Sequence, residues 1–158
     1  MWSDKYLIKF IKNNNITGII LSGSNYRILD SKNKRSSLPY KILKLNIPIL
    51  GICYGYQWLI KTLCGNNCIK SFKNKLREYD KYLYINKPFR INKIRYHFKH
   101  FDYIKKIPNK WKAVIKYEDQ IWMVYYNNII GVQFHPERYS KSGKFFYKKW
   151  IKHILIKS

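Results

Sequence analysis

Apolar positions recur along this chain with two different periods, and the switches between them predict alternating helices and strands. Tyr6, Leu7, Phe10 and Ile11 fall at helical spacing within 4–14, and Asn13-Asn14-Asn15 stops the run. Residues 16–21 form a β-branched apolar run of the kind that fills a strand buried on both faces. Residues 22–37 are polar and turn-rich, which predicts a surface loop. A short helix over 39–45 leads to a second buried strand over 47–52, a glycine-flanked turn and an apolar helix over 55–63. From about 67 to 98, Tyr, Leu and Ile alternate with Lys and Arg, the pattern of half-exposed antiparallel strands. Strands follow over 111–117, 121–126 and 129–134. A last amphipathic helix, 142–156, carries Phe145, Phe146, Trp150, Ile151 and Ile154. No repeat or linker divides the chain, so 1–158 is expected to form one α/β domain.

Composition narrows the class. A chain of 158 residues supports one substantial core but not comfortably two. Its 46% hydrophobic content excludes the disordered and fibrous classes. No apolar run reaches the roughly 18 residues that cross a bilayer, and the opening residues carry no secretion signal. The three cysteines, Cys53, Cys64 and Cys68, form no disulfide framework. That pattern fits a reducing compartment, so the expected location is the cytoplasm. Cys64 and Cys68 lack a matching Cys or His pair at ligand spacing, and two ordinary thiols at a helix end are expected rather than a metal site.

The charge is unusual: 32 Lys and Arg stand against eight Asp and Glu, a formal net of +24. Such an excess invites a nucleic-acid reading, because cations that neutralise phosphates release counterions. Two features argue against it. Most of the cations are Lys, spread over the whole chain, and Arg, the better base reader, is scarce. Ile, Lys, Asn and Tyr also make up half the residues and share AT-rich codons, so mutational bias at tolerant surface positions accounts for the lysines. Salt-sensitive attraction to polyanions is expected, and specific nucleic-acid recognition is not.

Two segments carry candidate chemistry. Gly51-Ile52-Cys53-Tyr54-Gly55-Tyr56-Gln57 joins a buried strand to a helix through a tight turn, an elbow that exposes a nucleophile above a sheet. The helix that follows aims its N-terminus at Cys53, which favours thiolate. Gly131-Val132-Gln133-Phe134-His135-Pro136-Glu137 closes a later strand. There His135 and Glu137, two residues apart, are expected to point the same way. A base oriented by a carboxylate is what activates a thiol: His135 takes the proton, and Glu137 fixes its tautomer.

Together these segments resemble the class I, triad-type glutamine amidotransferases, whose signatures are G-I/V-C-Y/L-G-x-Q and G-V-Q-F-H-P-E. Gly18 to Gly23 looks like the strand and glycine loop that supply one oxyanion donor in that family. Arg77-Glu78-Tyr79 resembles its R-E-Y/F piece, and His100-Phe101-Asp102 its H-G-D segment. The resemblance extends over about 4–156 and leans towards the glutaminase part of GMP synthetases, with the imidazole glycerol phosphate and anthranilate or aminodeoxychorismate branches open. It implies a flavodoxin-like open mixed sheet with helices on both faces. It also implies a reaction: Cys53 attacks the carboxamide of L-glutamine, backbone N–H groups of Tyr54 and Ser24 hold the oxyanion, and His135 with Glu137 transfers protons. Gly23, Gln57, His100, Phe101 and Asp102 would bind the substrate. No metal or organic cofactor is implied, and the ammonia would pass to a separate synthetase.

Three departures bear on activity. The family loop S-G-G-P is here Ser22-Gly23-Ser24-Asn25, so Ser24 is expected to strain the oxyanion N–H if that position needs glycine's backbone freedom. Phe101 stands where the family has glycine and is expected to narrow the pocket. The family's opening strand, helix and strand precede the helix at 4–14 and are not in this sequence, which should leave a sheet edge beside 16–21. These departures keep a second reading in view, an inactive amidotransferase-like module kept for binding or regulation.

Overall fold

The computed structural model describes residues 4–30, 38–73 and 75–157. Helix α1 (Asp4–Asn13) precedes β1 (Ile19–Leu21), α2 (Leu38–Leu43) and β2 (Ile49–Ile52), and β2 runs into α3 (Tyr54–Cys64). Then come β3 (Ile69–Ser71), β4 (Arg77–Ile85), β5 (Ile91–His100), β6 (Asp102–Ile104), β7 (Lys112–Tyr117), β8 (Gln120–Tyr126), β9 (Ile129–Val132) and α4 (Ser140–Lys157). The main sheet has the order β1-β2-β9-β8-β7. Its β1–β2 and β2–β9 pairs are parallel, and its β9–β8 and β8–β7 pairs antiparallel. A long β4–β5 hairpin and a short β3–β6 ladder accompany it.

Helices cover both faces. Successive residues of β2 and β9 point to opposite cores: Ile49 and Ile129 to one, Leu50 and Ile130 to the other. The first core collects Ile11 of α1, Ile42 of α2, and Tyr56, Leu59 and Ile60 of α3. The second collects Phe146, Trp150 and Ile154 of α4 with Tyr96 and Phe98 of the hairpin. Each large side chain removed from water there contributes about 1.5–3 kcal/mol before entropy is counted. Predicted and observed elements agree in order and type, except that β6 was not expected. The first two strands are shorter than the apolar runs suggest, because 16–18 and 47–48 lie outside the ladders. The loop predicted over 22–37 is irregular across 22–30, and its remainder lies outside the described residues.

One close approach fixes α3. Gly51 and Gly131 are register partners on β2 and β9, and both sit against Tyr56. A Cβ on Gly131 would lie 2.3 Å from the Tyr56 ring, and one on Gly55 would lie 2.1 Å from the Leu21 carbonyl oxygen. The missing side chains open a slot that seats the first turn of α3 directly on the sheet. Tyr56 fills it and donates its hydroxyl to the Ile121 carbonyl at 3.2 Å.

One expectation changes. Cys64 and Cys68 are not separate thiols: their sulfurs are bonded, with Cα atoms 5.9 Å apart. Their i, i+4 spacing across the end of α3 and the turn after it, at 66–68, brings them together. Among the described residues β1 is the outermost strand of the main sheet, with Ile20 47% exposed. Among the described residues no helix is long and apolar enough to cross a membrane.

Candidate active site

Cys53 occupies the single residue between β2 and α3. Its backbone has φ 47° and ψ −104°, a conformation that costs a side-chain-bearing residue about 1–3 kcal/mol. The surrounding structure holds it there. Its N–H donates to the Val132 carbonyl at 2.8 Å, and its carbonyl accepts the Gln57 N–H at 3.0 Å. Its sulfur is 3% exposed, donates towards the Lys99 carbonyl at 3.4 Å, and accepts the Gln133 side-chain amide at 3.5 Å.

His135 comes three residues after β9 ends and forms an isolated bridge to β5, its N–H donating to the His97 carbonyl at 2.7 Å. Glu137 does not continue the strand. Pro136 to Arg138 make a 3-10 turn, and that turn, not strand alternation, swings the carboxylate back. Glu137 Oε1 lies 2.7 Å from His135 Nδ1, so Nδ1 donates to the carboxylate. Burial alone would lower the His135 pKa, but its hydrogen bonds to Cys53 and Glu137, and their charges, push it up to about 10. Burial raises the Glu137 carboxyl, but the His135 hydrogen bond, a backbone hydrogen bond and the charges of His135 and His97 together leave the group below its ordinary value. The chain thus brings together the three residues that the two motifs singled out.

A cleft of about 230 Å³ opens beside Cys53, lined on one side by Ser24 to Arg27 and on the other by Lys99 to Asp102. Tyr54 and Gln57 line it from α3. A second cleft, of about 250 Å³, runs past Gly23 and Ser24 to His135 and Glu137. Gly23 packs so closely on the pair that a Cβ would meet His135 Cε1 at 2.8 Å and Cys53 Cβ at 3.7 Å. Ser24 does not adopt a positive φ, so the expected strain at that position is absent. Its hydroxyl instead accepts the Tyr26 N–H at 3.1 Å.

Three residues expected to bind substrate hold protein groups. The Gln57 amide nitrogen donates to the Asp102 carbonyl at 2.6 Å and to Gln133 Oε1 at 3.0 Å. His100 Nδ1 donates to the same Asp102 carbonyl at 2.9 Å, and its Nε2 lies 3.5 Å from the Tyr79 hydroxyl. Burial pushes the His100 pKa down to about 4, so the ring is neutral. The Asp102 carboxylate, 1% exposed, accepts from Arg27 and the Leu29 N–H, each at 3.4 Å. Phe101 lines the cleft, with the Arg27 guanidinium 5.5 Å from its ring centre. Sequence reasoning missed Gln133 and Arg27. Gln133 lies within the second motif, two residues before His135, where its contact with the sulfur could have been sought. Arg27 lies in an irregular loop and carried no signal. Among the described residues no three His, Cys, Asp or Glu gather as metal ligands.

Residues 2–154 match the family described as class-I glutamine amidotransferase. The chain belongs to that family. Its relatives include the glutamine-hydrolysing GMP synthases of Borrelia garinii subsp. bavariensis and of Borreliella burgdorferi. The first is 35% identical over 158 residues and the second 36% identical over 154, and each match covers 91% of this chain. The chain spans only 28% and 29% of those two proteins' lengths. A glutamine amidotransferase structure from Thermotoga maritima superposes with a TM-score of 0.61 at 25% identity, covering 89% of this chain and 65% of that one. A Thermoplasma acidophilum protein gives a TM-score of 0.72 at 22% identity, covering 91% and 75%. Both superpositions support the flavodoxin-like class I amidotransferase fold.

Proposed function

We propose that this domain is a glutaminase that hydrolyses L-glutamine through a thioester on Cys53 and passes the ammonia to a separate GMP synthetase-like enzyme. One observation carries the reading: a buried cysteine held at positive φ on a strand–helix elbow, against a histidine already paired with a carboxylate. The Cys53 thiolate adds to the carboxamide carbon, and the backbone N–H groups of Tyr54 and Ser24 receive the oxyanion. His135 protonates the nitrogen as the C–N bond breaks, and ammonia leaves. His135 then removes a proton from water, which attacks the thioester, so that C–O forms, C–S breaks and glutamate is released. Glu137 fixes the ring throughout. Family membership and the names of the GMP synthase relatives support the substrate and the receiving partner.

The test is glutamate release from glutamine, measured with and without a GMP synthetase subunit. Activity that rises with the added subunit and disappears in Cys53→Ala, with the fold retained, is the expected result. Full hydrolysis by Cys53→Ala would overturn the assignment. Cys53→Ala serves better than Cys53→Ser, because serine keeps a weak nucleophile at the elbow.

A further inference from the structure

We infer that Gln133 belongs to the catalytic machinery as an amide donor that stabilises the negative charge on the Cys53 sulfur while the thiol is ionised. This rests on the glutaminase reading only in taking Cys53 as the nucleophile. Gln133 directly follows β9 and is 0% exposed. Its backbone continues the strand's pairing, its N–H donating to the Trp122 carbonyl at 2.8 Å. Its side-chain nitrogen lies 3.5 Å from Cys53 Sγ. A buried amide needs partners at both ends, and here each end has one, because Oε1 accepts from Gln57 Nε2 at 3.0 Å.

Which end of that amide meets the sulfur follows from one backbone carbonyl. The Asp102 carbonyl can only accept, so the Gln57 atom 2.6 Å from it must belong to the NH2 group. That same NH2 group lies 3.0 Å from the Gln133 amide, whose near atom must therefore be oxygen. Gln133 then turns its own NH2 to Cys53, and a donor faces the sulfur. His100 Nδ1 donates to the same Asp102 carbonyl at 2.9 Å and anchors the start of the chain. A thiol sulfur is a weak acceptor and a thiolate a strong one, so the donor favours the ionised form. The Lys99 carbonyl, 3.4 Å from the sulfur, acts the other way, because it can bond only to S–H. When the proton passes to His135, the sulfur loses Lys99 as a partner and keeps Gln133. Cys53 is 3% exposed, so that retained bond stands in for hydration the thiolate lacks.

Gln133→Met, which keeps the volume and drops the amide, tests this beside the wild type. Cys64 and Cys68 are bonded to each other, so Cys53 is the one free thiol to be read. Its ultraviolet thiolate absorbance and its alkylation by iodoacetamide are followed against pH. The ionisable groups around it are His135 with Glu137, Lys99 and His100 of β5, Asp102 with Arg27, and Tyr54 of α3. All of them are kept in the variant, so a displaced profile reports the lost donor. Both profiles should move to higher pH by roughly one unit, with alkylation on the rising limb slowed roughly 10-fold and glutamate release lowered in step. Gln133→Asn keeps an amide but draws it back from the sulfur; it should move the profiles the same way, and it serves if Gln133→Met does not fold. A folded variant with a lower urea midpoint but unmoved profiles would show a structural role alone. That result would overturn the Gln133 assignment and leave the glutaminase reading standing. If the profiles move while the wild type releases no glutamate even with a synthetase subunit, the glutaminase reading falls and the Gln133 assignment stands.

Discussion

In the proposed reaction His135 moves the protons, whereas Glu137 only fixes the ring that moves them, so the two residues should differ in kinetic weight. Glu137 is 46% exposed in its side chain, and water can replace part of what its carboxylate does for Nδ1. His135→Ala should lower kcat by several orders of magnitude, and Glu137→Gln by roughly 10- to 1,000-fold. Steady-state glutamate release distinguishes them, and equal losses would contradict the division of roles. These two residues and Cys53 were legible in the sequence because each sits in a short motif whose residue types have few other uses together. Gln57, His100 and Asp102 were legible as positions but not in what they hold. Their polar atoms meet at the Asp102 carbonyl and at Arg27, and such partners, 45 and 75 residues apart, leave no trace in local pattern.

At the scale of elements, the seat of α3 decides where Cys53 stands. The Gly51–Gly131 pair and Gly55 remove three side chains from the junction of β2, β9 and α3, and Tyr56 occupies the space. Gly55→Ala places a methyl 2.1 Å from a backbone oxygen that cannot swing aside as a side chain would. The substitution should destabilise the fold by about 3 kcal/mol or more, read as a lower urea midpoint at unchanged m-value. It should also lower the rate at which Cys53 is alkylated, since the elbow would have to move. Unchanged stability would mean that β1 yields more readily than its ladder to β2 implies. The elements themselves were read well from periodicity. Their edges were not, because a strand ends where its neighbour stops offering partners: β1 has only three register pairs with β2.

Across the whole molecule, two of the histidines tie stability to pH in opposite directions. His100 titrates near 4 in the fold against 6.5 ordinarily, so below 6.5 the unfolded chain binds a proton that the fold resists. Its contribution is complete above pH 6.5 and is lost as pH falls towards 4, up to on the order of 3 kcal/mol. His135, raised to about 10, contributes fully below pH 6.5 and loses that contribution as pH rises towards 10. His100→Asn keeps a donor for the Asp102 carbonyl but cannot titrate. Urea unfolding at pH 7 and pH 4.5 should therefore show a smaller acid loss in this variant than in the wild type. Parallel losses in both proteins would assign the acid sensitivity to other groups. Five of the lysines, Lys44, Lys81, Lys93, Lys112 and Lys149, lie over aromatic rings.

The sequence by itself determined most of the order of helices and strands, and the two motifs that hold Cys53, His135 and Glu137. Period, propensity and turn chemistry act over a few residues, so they are written in a few residues. Tertiary structure alone decided that Glu137 returns to His135 through a 3-10 turn, that Cys64 meets Cys68, and that Ser24 lies outside the left-handed region. It also decided that Arg27 and Asp102 pair beside Cys53, both lining its cleft. Those outcomes depend on which backbone and side-chain atoms fold back within bonding reach, and a one-dimensional pattern does not hold that information until the sheet has closed over its two cores.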